Sequence, residues 1–342
     1  MLRYALAPWW LLQLGTTAKS FIDNPLIGSR RLNALGLHRG RVRLACALAA
    51  SRRRRLARLI SADDARSFAR DGFIVRENAL PPDLFARLRD GVLGYAGEAR
   101  EQVQGNTITR RMAIDSAMLA AVPELRALLG GSPWSGMTRY VASFAGAPLA
   151  YVQTIFARAL PGDEDPQTML HSDTFHATMK AWLFLTDVAE EDGPFCYVPG
   201  SHRRTPARLA WEDARALQHG GADRLSGRGS LRIAATELAG LGLPPPRCFA
   251  VPANTLIVAD TSGFHARGIA RRPSARVEIW GYARRNPFVP WTGLDFLALP
   301  GLAERRIGWM WRGRDRLARL LGQPWRPIGR TTPIAPLPCA GP

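Results

Sequence analysis

Tyr151-Val152-Gln153-Thr154-Ile155-Phe156 alternates apolar and polar residues, the signature of a strand with one face buried. Similar short apolar runs at 169–175, 181–186, 195–198, 255–260 and 276–283 lie between Gly, Pro and Asp turns, so the spacing predicts further strands. Many short strands of this kind form a sandwich or jelly-roll barrel. Helical periodicity comes earlier in the chain. Ser61 is placed to cap a helix running to Arg70, with Asp63 and Asp64 in its first turn, and Asp71-Gly72 stops it before a short strand, Phe73-Ile74-Val75. A second helix starts at Pro81-Pro82-Asp83 with an apolar stripe of Leu84, Leu88 and Val92. The pattern weakens from Glu98 to Gly131, where only 117–129 reads as helical. Residues 203–250 form an arginine- and glycine-rich insertion with a helical piece near 211–219.

The two ends of the chain differ from this middle. Residues 41–60 predict a basic amphipathic helix with Leu44, Leu48, Leu59 and Ile60 near one face and Arg52 to Arg55 on the other. Such a helix suits either an anionic membrane surface or packing against the domain behind it. Residues 304–322 repeat that character around Trp309 and Trp311, and Trp9 and Trp10 stand in a leucine-rich opening interrupted by Pro8. That opening lacks the charged lead and cleavage pattern of a signal peptide. The proline-rich tail from Pro324 reads as an extended surface strap. The organisation expected is therefore a basic, Trp-containing membrane-surface arm (1–60), one mainly β domain (61–292) carrying the 203–250 insertion, and a basic helix with its tail (293–342).

Charge and cysteines narrow the partners. The chain of 342 residues carries a net charge of +18, with lysine only at Lys19 and Lys180 and arginine at every other basic position. That field favours anionic partners. Cys46, Cys196, Cys248 and Cys339 form no CxxC pair, which argues against a zinc module or a disulfide framework and favours a reducing cytoplasm. Cys196 and Cys248 fall among strand residues and read as core.

The chemistry is concentrated in His171-Ser172-Asp173. On a strand, residues two apart project to one side, so His171 and Asp173 can reach one ion. His265, just after the strand TLIVAD, can complete a set of two imidazoles and a carboxylate that holds Fe(II) and leaves positions open. Arg276 lies eleven residues further on, where its guanidinium fork can bind a carboxylate in bidentate fashion. His176 also follows Asp173 closely, but its spacing turns it elsewhere.

The run from His171 to Arg204, with His171-x-Asp173, Ala181-Trp182, Glu191-Asp192-Gly193-Pro194 and Val198-Pro199-Gly200-Ser201-His202, resembles the phytanoyl-CoA dioxygenase family of Fe(II)- and 2-oxoglutarate-dependent oxygenases. His265, Arg276 at the family's spacing and Asp71-Gly72-Phe73 extend the likeness over residues 61–290. The resemblance implies an α+β, mainly β fold, a double-stranded β-helix of jelly-roll or cupin type with flanking helices. It implies His171, Asp173 and His265 as iron ligands, Arg276 as the anchor of the 2-oxoglutarate carboxylate and Trp182 as a wall of the co-substrate pocket. Gln153 and Thr168 are weaker members from neighbouring strand positions. The reaction implied uses O2, converts 2-oxoglutarate to succinate and CO2, and hydroxylates an unactivated C–H bond. Asp173 itself favours hydroxylation, because related halogenases lack this carboxylate.

Two residues depart from the family. Arg267 stands where a small polar residue is common, and Glu278 should share the inner face with Arg276, where it needs a partner. Arg267, Glu278 and His202 are the substrate-side residues this reading offers. The basic flanks point to a membrane-associated anionic lipid or glycolipid, such as the Kdo sugar of a lipid A precursor, and to a cytoplasmic protein held peripherally at the inner membrane. A soluble metabolite is the other substrate class, and a barrel without catalysis the reading outside enzymes. Nucleic acid is disfavoured, because the position six beyond Arg276 is Tyr282 rather than a second arginine.

Overall fold

The computed structural model describes residues 6–218, 223–293, 299 and 301–337. His219 and Cys339 lie outside them. Two antiparallel sheets make the core. The larger takes its strands in the order β1-β8-β5-β10-β4-β3-β2-β11, and the smaller in the order β7-β6-β9. These are β1 (Phe73–Arg76), β2 (Gly97–Gln104), β3 (Thr107–Ala113), β4 (Leu149–Ala157), β5 (Met179–Phe184), β6 (Phe195–Tyr197), β7 (Arg247–Cys248), β8 (Leu256–Asp260), β9 (His265–Arg267), β10 (Ser274–Ala283) and β11 (Arg326–Thr331). The arrangement is the expected mainly β, double-stranded β-helix architecture with flanking helices.

Strand alternation divides the large sheet into two faces with different work. Val152, Ala181, Leu183, Val258, Val277 and Ile279 face outward into a core shared with the helices Pro82–Gly94 and Ser132–Ala142, through Leu88, Val92, Trp134, Met137 and Val141. Tyr151, Trp182, Phe184, Ile257 and Trp280 face the small sheet and pack on Phe195, Tyr197, Phe249 and Val251. The polar residues between them on this inner face, Gln153 and Lys180 among them, have nowhere to go but the gap between the sheets.

Several expectations hold locally. Ser61 caps the helix Ala62–Asp71 by accepting a bond from Asp64 N, and Gly72 ends it in the left-handed region at φ 89°. A side chain there would also strike His202 and Tyr197. Strands β4, β5, β6, β8 and β10 fall where alternation placed them.

Other expectations are corrected. Residues 169–175 form no strand. His171 makes isolated bridges to His265 and Arg232, and Asp173 N bonds Thr261 O at 2.9 Å. The weakly patterned stretch after Glu98 holds the hairpin β2–β3, which closes through Gly105 and Asn106. The proline-rich tail is extended and exposed as expected, but its Arg326–Thr331 also pairs with β2 as the sheet's outer strand. Cys196 and Cys248, opposed across β6 and β7, form a disulfide, and Cys248 is exposed rather than core.

The helix Leu37–Leu56 packs on the domain, and by a different face from the leucine face expected. Val42, Ala45, Ala49 and Leu56 are buried together with Arg41 and Arg52, while Leu44 is exposed. Arg52 donates to the carbonyls of Ser143, Pro287 and Val289, and Arg53 pairs with Asp260 at 2.8 Å. These arginines knit the arm to the barrel, so this face of the helix is not available to a membrane, while Arg43, Leu44, Arg54 and Arg55 stay exposed on the other. The short helix Ala7–Leu14 differs, since none of its residues is buried and Trp9, Leu11 and Leu12 are mostly exposed. No helix among the described residues is long and apolar enough to cross a membrane.

Candidate metal centre

His171 and His265 are brought face to face by the backbone. Each one's N–H donates to the other's carbonyl at 2.9 Å, which sets the two ring centroids 4.4 Å apart. The Nδ1 of each ring lies near a carbonyl two residues away, Met169 O at 2.8 Å for His171 and Gly263 O at 3.1 Å for His265. With the proton on Nδ1, both Nε2 lone pairs turn inward. Asp173 comes between them, its oxygens 3.9 Å from His171 Nε2 and 3.7 Å from His265 Nε2. One ligand atom from each residue lies within 4.8 Å of the others.

The electrostatics suit a cation. Burial lowers both imidazoles, His265 to about 4 and His171 well below its ordinary value, so each is neutral and able to ligate near pH 7. Burial would raise Asp173, but the Lys180 ammonium beside it outweighs burial and holds the carboxyl ionised. His265 Nε2 is buried without a hydrogen-bond partner. Two imidazoles and one carboxylate arranged in this way fit Fe(II).

A cavity of about 400 Å³ opens beside these donors and collects most of the other residues singled out in the sequence. Gln153, Trp182, Arg267, Arg276 and Glu278 all line it. Glu278 finds its partners there. Gln153 donates to Glu278 Oε1 at 2.5 Å, Arg276 Nε lies 3.5 Å from Oε2, and Arg111 donates to Gln153 at 2.7 Å. Burial nonetheless raises the Glu278 carboxyl, because it is fully enclosed. Arg276 is also held by the Gly193 carbonyl, and Arg267 by the buried Asp165 carboxylate. The turn Glu191-Asp192-Gly193-Pro194 therefore serves to seat Arg276. Trp182 stacks near Phe195, ring centroids 4.2 Å apart, as the apolar wall.

Two sequence assignments, Thr168 and His202, do not reach the cavity, and His176 stays apart as its spacing implied. Thr168 sits in the short helical turn Pro166–Thr168 and bonds back to Asp165 O. His202 packs on the Phe68 ring beside Gly72 and belongs to the scaffold. His176 is buried against Phe175, with Nδ1 near Ala177 O, and is outside the metal cluster.

Sequence reasoning missed Lys19, Arg111, Lys180, Arg284 and Trp325, all of which line the cavity. Lys180 Nζ is 2.7 Å from Asp173 Oδ2, and Lys19 Nζ donates to the Asp173 carbonyl. Burial lowers Lys19 to about 8. Arg111 lies over the Trp280 ring at 3.9 Å and over Trp325 at 4.4 Å. Lys180 was legible in principle, being two residues from Trp182 on the same strand face.

Residues 68–226 match the phytanoyl-CoA dioxygenase (PhyH) family. The matched stretch contains His171 and Asp173, and the fold adds His265 and Arg276 from beyond it. Solved structures resemble the chain at low identity. The epimerase SnoN, in complex with Fe3+, alpha-ketoglutarate and nogalamycin RO, is 19% identical over 72% of this chain and 91% of that one, with a TM-score of 0.43. The carbocyclase SnoK from nogalamycin biosynthesis is 20% identical over 79% and 96%, at 0.42. HygX from Streptomyces hygroscopicus, with nickel and 2-oxoglutarate bound, is 18% identical over 66% and 87%, at 0.40. No curated protein matches the chain. The match to this family and the His–Asp–His cluster together mark the chain as an Fe(II)- and 2-oxoglutarate-dependent dioxygenase.

Proposed function

We propose that the protein hydroxylates an unactivated C–H bond of an anionic substrate. The observation that carries this reading is the convergence of the three metal donors with Arg276 and a surplus of cations in one cavity. His171, Asp173 and His265 would hold Fe(II), and bound there with 2-oxoglutarate and O2 the metal supplies the oxidising power, with succinate and CO2 as co-products. Arg276 offers its guanidinium to the distal carboxylate of 2-oxoglutarate, oriented for it by Gly193 and Glu278. Trp182 and Phe195 exclude water from that side. Lys180 keeps Asp173 ionised and fixes its rotamer.

The finer reading places the substrate at a membrane, as an acidic glycolipid of which the Kdo sugar of a lipid A precursor is one example. The exposed Trp9, Leu11 and Leu12 on Ala7–Leu14 support a peripheral contact, and the net charge of +18 suits an anionic surface. The test is succinate formation from 2-oxoglutarate by the iron-loaded full chain. His171→Ala is expected to abolish it and His176→Ala to leave it within about threefold, since His176 is outside the metal cluster. Equal loss in both variants would remove the ligand assignment. A gain of one oxygen in a Kdo-bearing precursor supports the finer reading, whereas turnover of only soluble acids replaces it.

A further inference from the structure

Both lysines of this arginine-dominated chain stand at one point, the open side of Asp173. Lys180 comes from the inner face of β5, opposite Tyr282 in the register. Lys19 comes from the other end of the sequence, on a segment far outside the matched domain. That segment is firmly seated. Arg41 donates to the carbonyls of Leu14, Thr16 and Ala18, Arg284 to Thr17 O at 2.6 Å, and Phe21 N to Gly227 O at 2.9 Å. It also lies so close to Gly229 that a Cβ there would fall 2.3 Å from Lys19 O. Lys19 is thus fixed over the cavity by the fold.

The charges do not balance. The cavity is lined by six cations (Lys19, Arg111, Lys180, Arg267, Arg276 and Arg284) against two carboxylates, Asp173 and Glu278. A divalent metal and the 2-oxoglutarate dianion cancel one another, so the surplus survives their binding. Positive charge kept out of water without a counter-charge is costly, and an anionic ligand relieves it. Arg267 and Arg276 already hold Asp165 and the Glu278 end, and Arg111 is engaged by Gln153 and the faces of Trp280 and Trp325. The surplus therefore gathers at Lys19, Lys180 and Arg284. Lysine suits this place, since its compact ammonium carries three donors and can serve Asp173 and a second oxyanion together.

We propose that Lys19 and Lys180, with Arg284 beside them, bind a carboxylate or phosphate group of the primary substrate and thereby set which carbon lies nearest the metal. Lys19 is a specificity residue supplied by the amino-terminal segment, and the barrel alone lacks it. This inference deepens the proposed function and rests on it for the identity of the metal site.

The scarcity of lysine makes the test direct. Full-length protein labelled with lysine carrying 13C at Cε should give two side-chain signals, assigned with Lys19→Arg. In protein loaded with Zn(II) and N-oxalylglycine, inorganic phosphate or, in a second arm, acetate is expected to move both signals along one saturable curve. Chloride at equal ionic strength should not. Lys19→Met should weaken the response of Lys180 at least tenfold. If neither anion moves either lysine saturably, or if Lys19→Met leaves the curve unchanged, the proposal is overturned. Replacing Zn(II) by Mn(II) tests the metal reading separately. Broadening of both signals with no anion response sinks the anion site alone, and an anion response without broadening sinks the metal assignment alone.

Discussion

Arg276 and Glu278 show how one residue's setting changes its meaning. A glutamate on the inner face of β10 beside the proposed carboxylate anchor reads as a conflict in the sequence. In the fold it orients the guanidinium from 3.5 Å while Gln153, itself held by Arg111, donates to its other side. Hydrogen bonds to charged groups contribute about 1.5–3 kcal/mol each. Arg276→Met is therefore expected to weaken 2-oxoglutarate binding by roughly 10- to 100-fold at that energy, measured by calorimetry on the Mn(II)-loaded protein. A change under twofold would mean that another cation holds the carboxylate. Arg276 was legible because it is a charged residue at the head of an apolar strand. Lys19 was not, because no local pattern ties a residue in the first turns of the chain to a site 150 residues later.

Among the elements, the junction of Leu37–Leu56 with the end of β8 carries an ion pair that reaches toward the metal. Arg53 meets Asp260 at 2.8 Å, and Asp260 Oδ1 also accepts from Thr178 N and Ser262 N. Asp260 opens the loop that delivers His265. Burial would raise its carboxyl, but Arg53 outweighs burial and lowers it. A depressed folded value stabilises the fold above the unfolded carboxyl range and loses that contribution as pH falls through the folded value. Breaking a buried pair costs about 3–5 kcal/mol. Arg53→Met should thus destabilise the protein by about 3 kcal/mol at neutral pH, and by clearly less near pH 3, in urea unfolding at both. An unchanged difference at the two pH values would refute the pairing. The helix's basic face had looked solvent- or membrane-directed, because composition does not distinguish an arginine in water from one bonded to buried carbonyls.

At the scale of the whole molecule, the extensions prove to be parts of the site as well as surfaces. The arm brings Lys19, and the carboxyl-terminal tail brings Trp325 and the strand beside β2. What remains outward includes Ala7–Leu14, with no buried residue, and Trp309, Met310, Leu317 and Leu320 of the carboxyl-terminal helical segment. Burying a large apolar side chain stabilises by about 1.5–3 kcal/mol. The paired change Trp9→Glu and Leu12→Glu should lower co-sedimentation with anionic vesicles at least about tenfold without altering the unfolding midpoint. A wild-type protein that stays in the supernatant would leave the charge to the soluble substrate alone.

The sequence by itself pointed to the barrel class and most inner strands, because strand alternation is written in local spacing, and through its family resemblance it offered His171, Asp173, His265 and Arg276, which the fold brings to one cavity. It hid β2 and β3 for a physical reason. Their inner faces present Gln102, Gln104, Thr109 and Arg111 to the polar cavity, which erases the apolar alternation that marks a strand. Only the tertiary structure decided that His171 and His265 share a backbone bridge, that Cys196 meets Cys248, and that both lysines face Asp173. Those relations join residues far apart in sequence, and such contacts are fixed by packing and register rather than by any pattern along the chain.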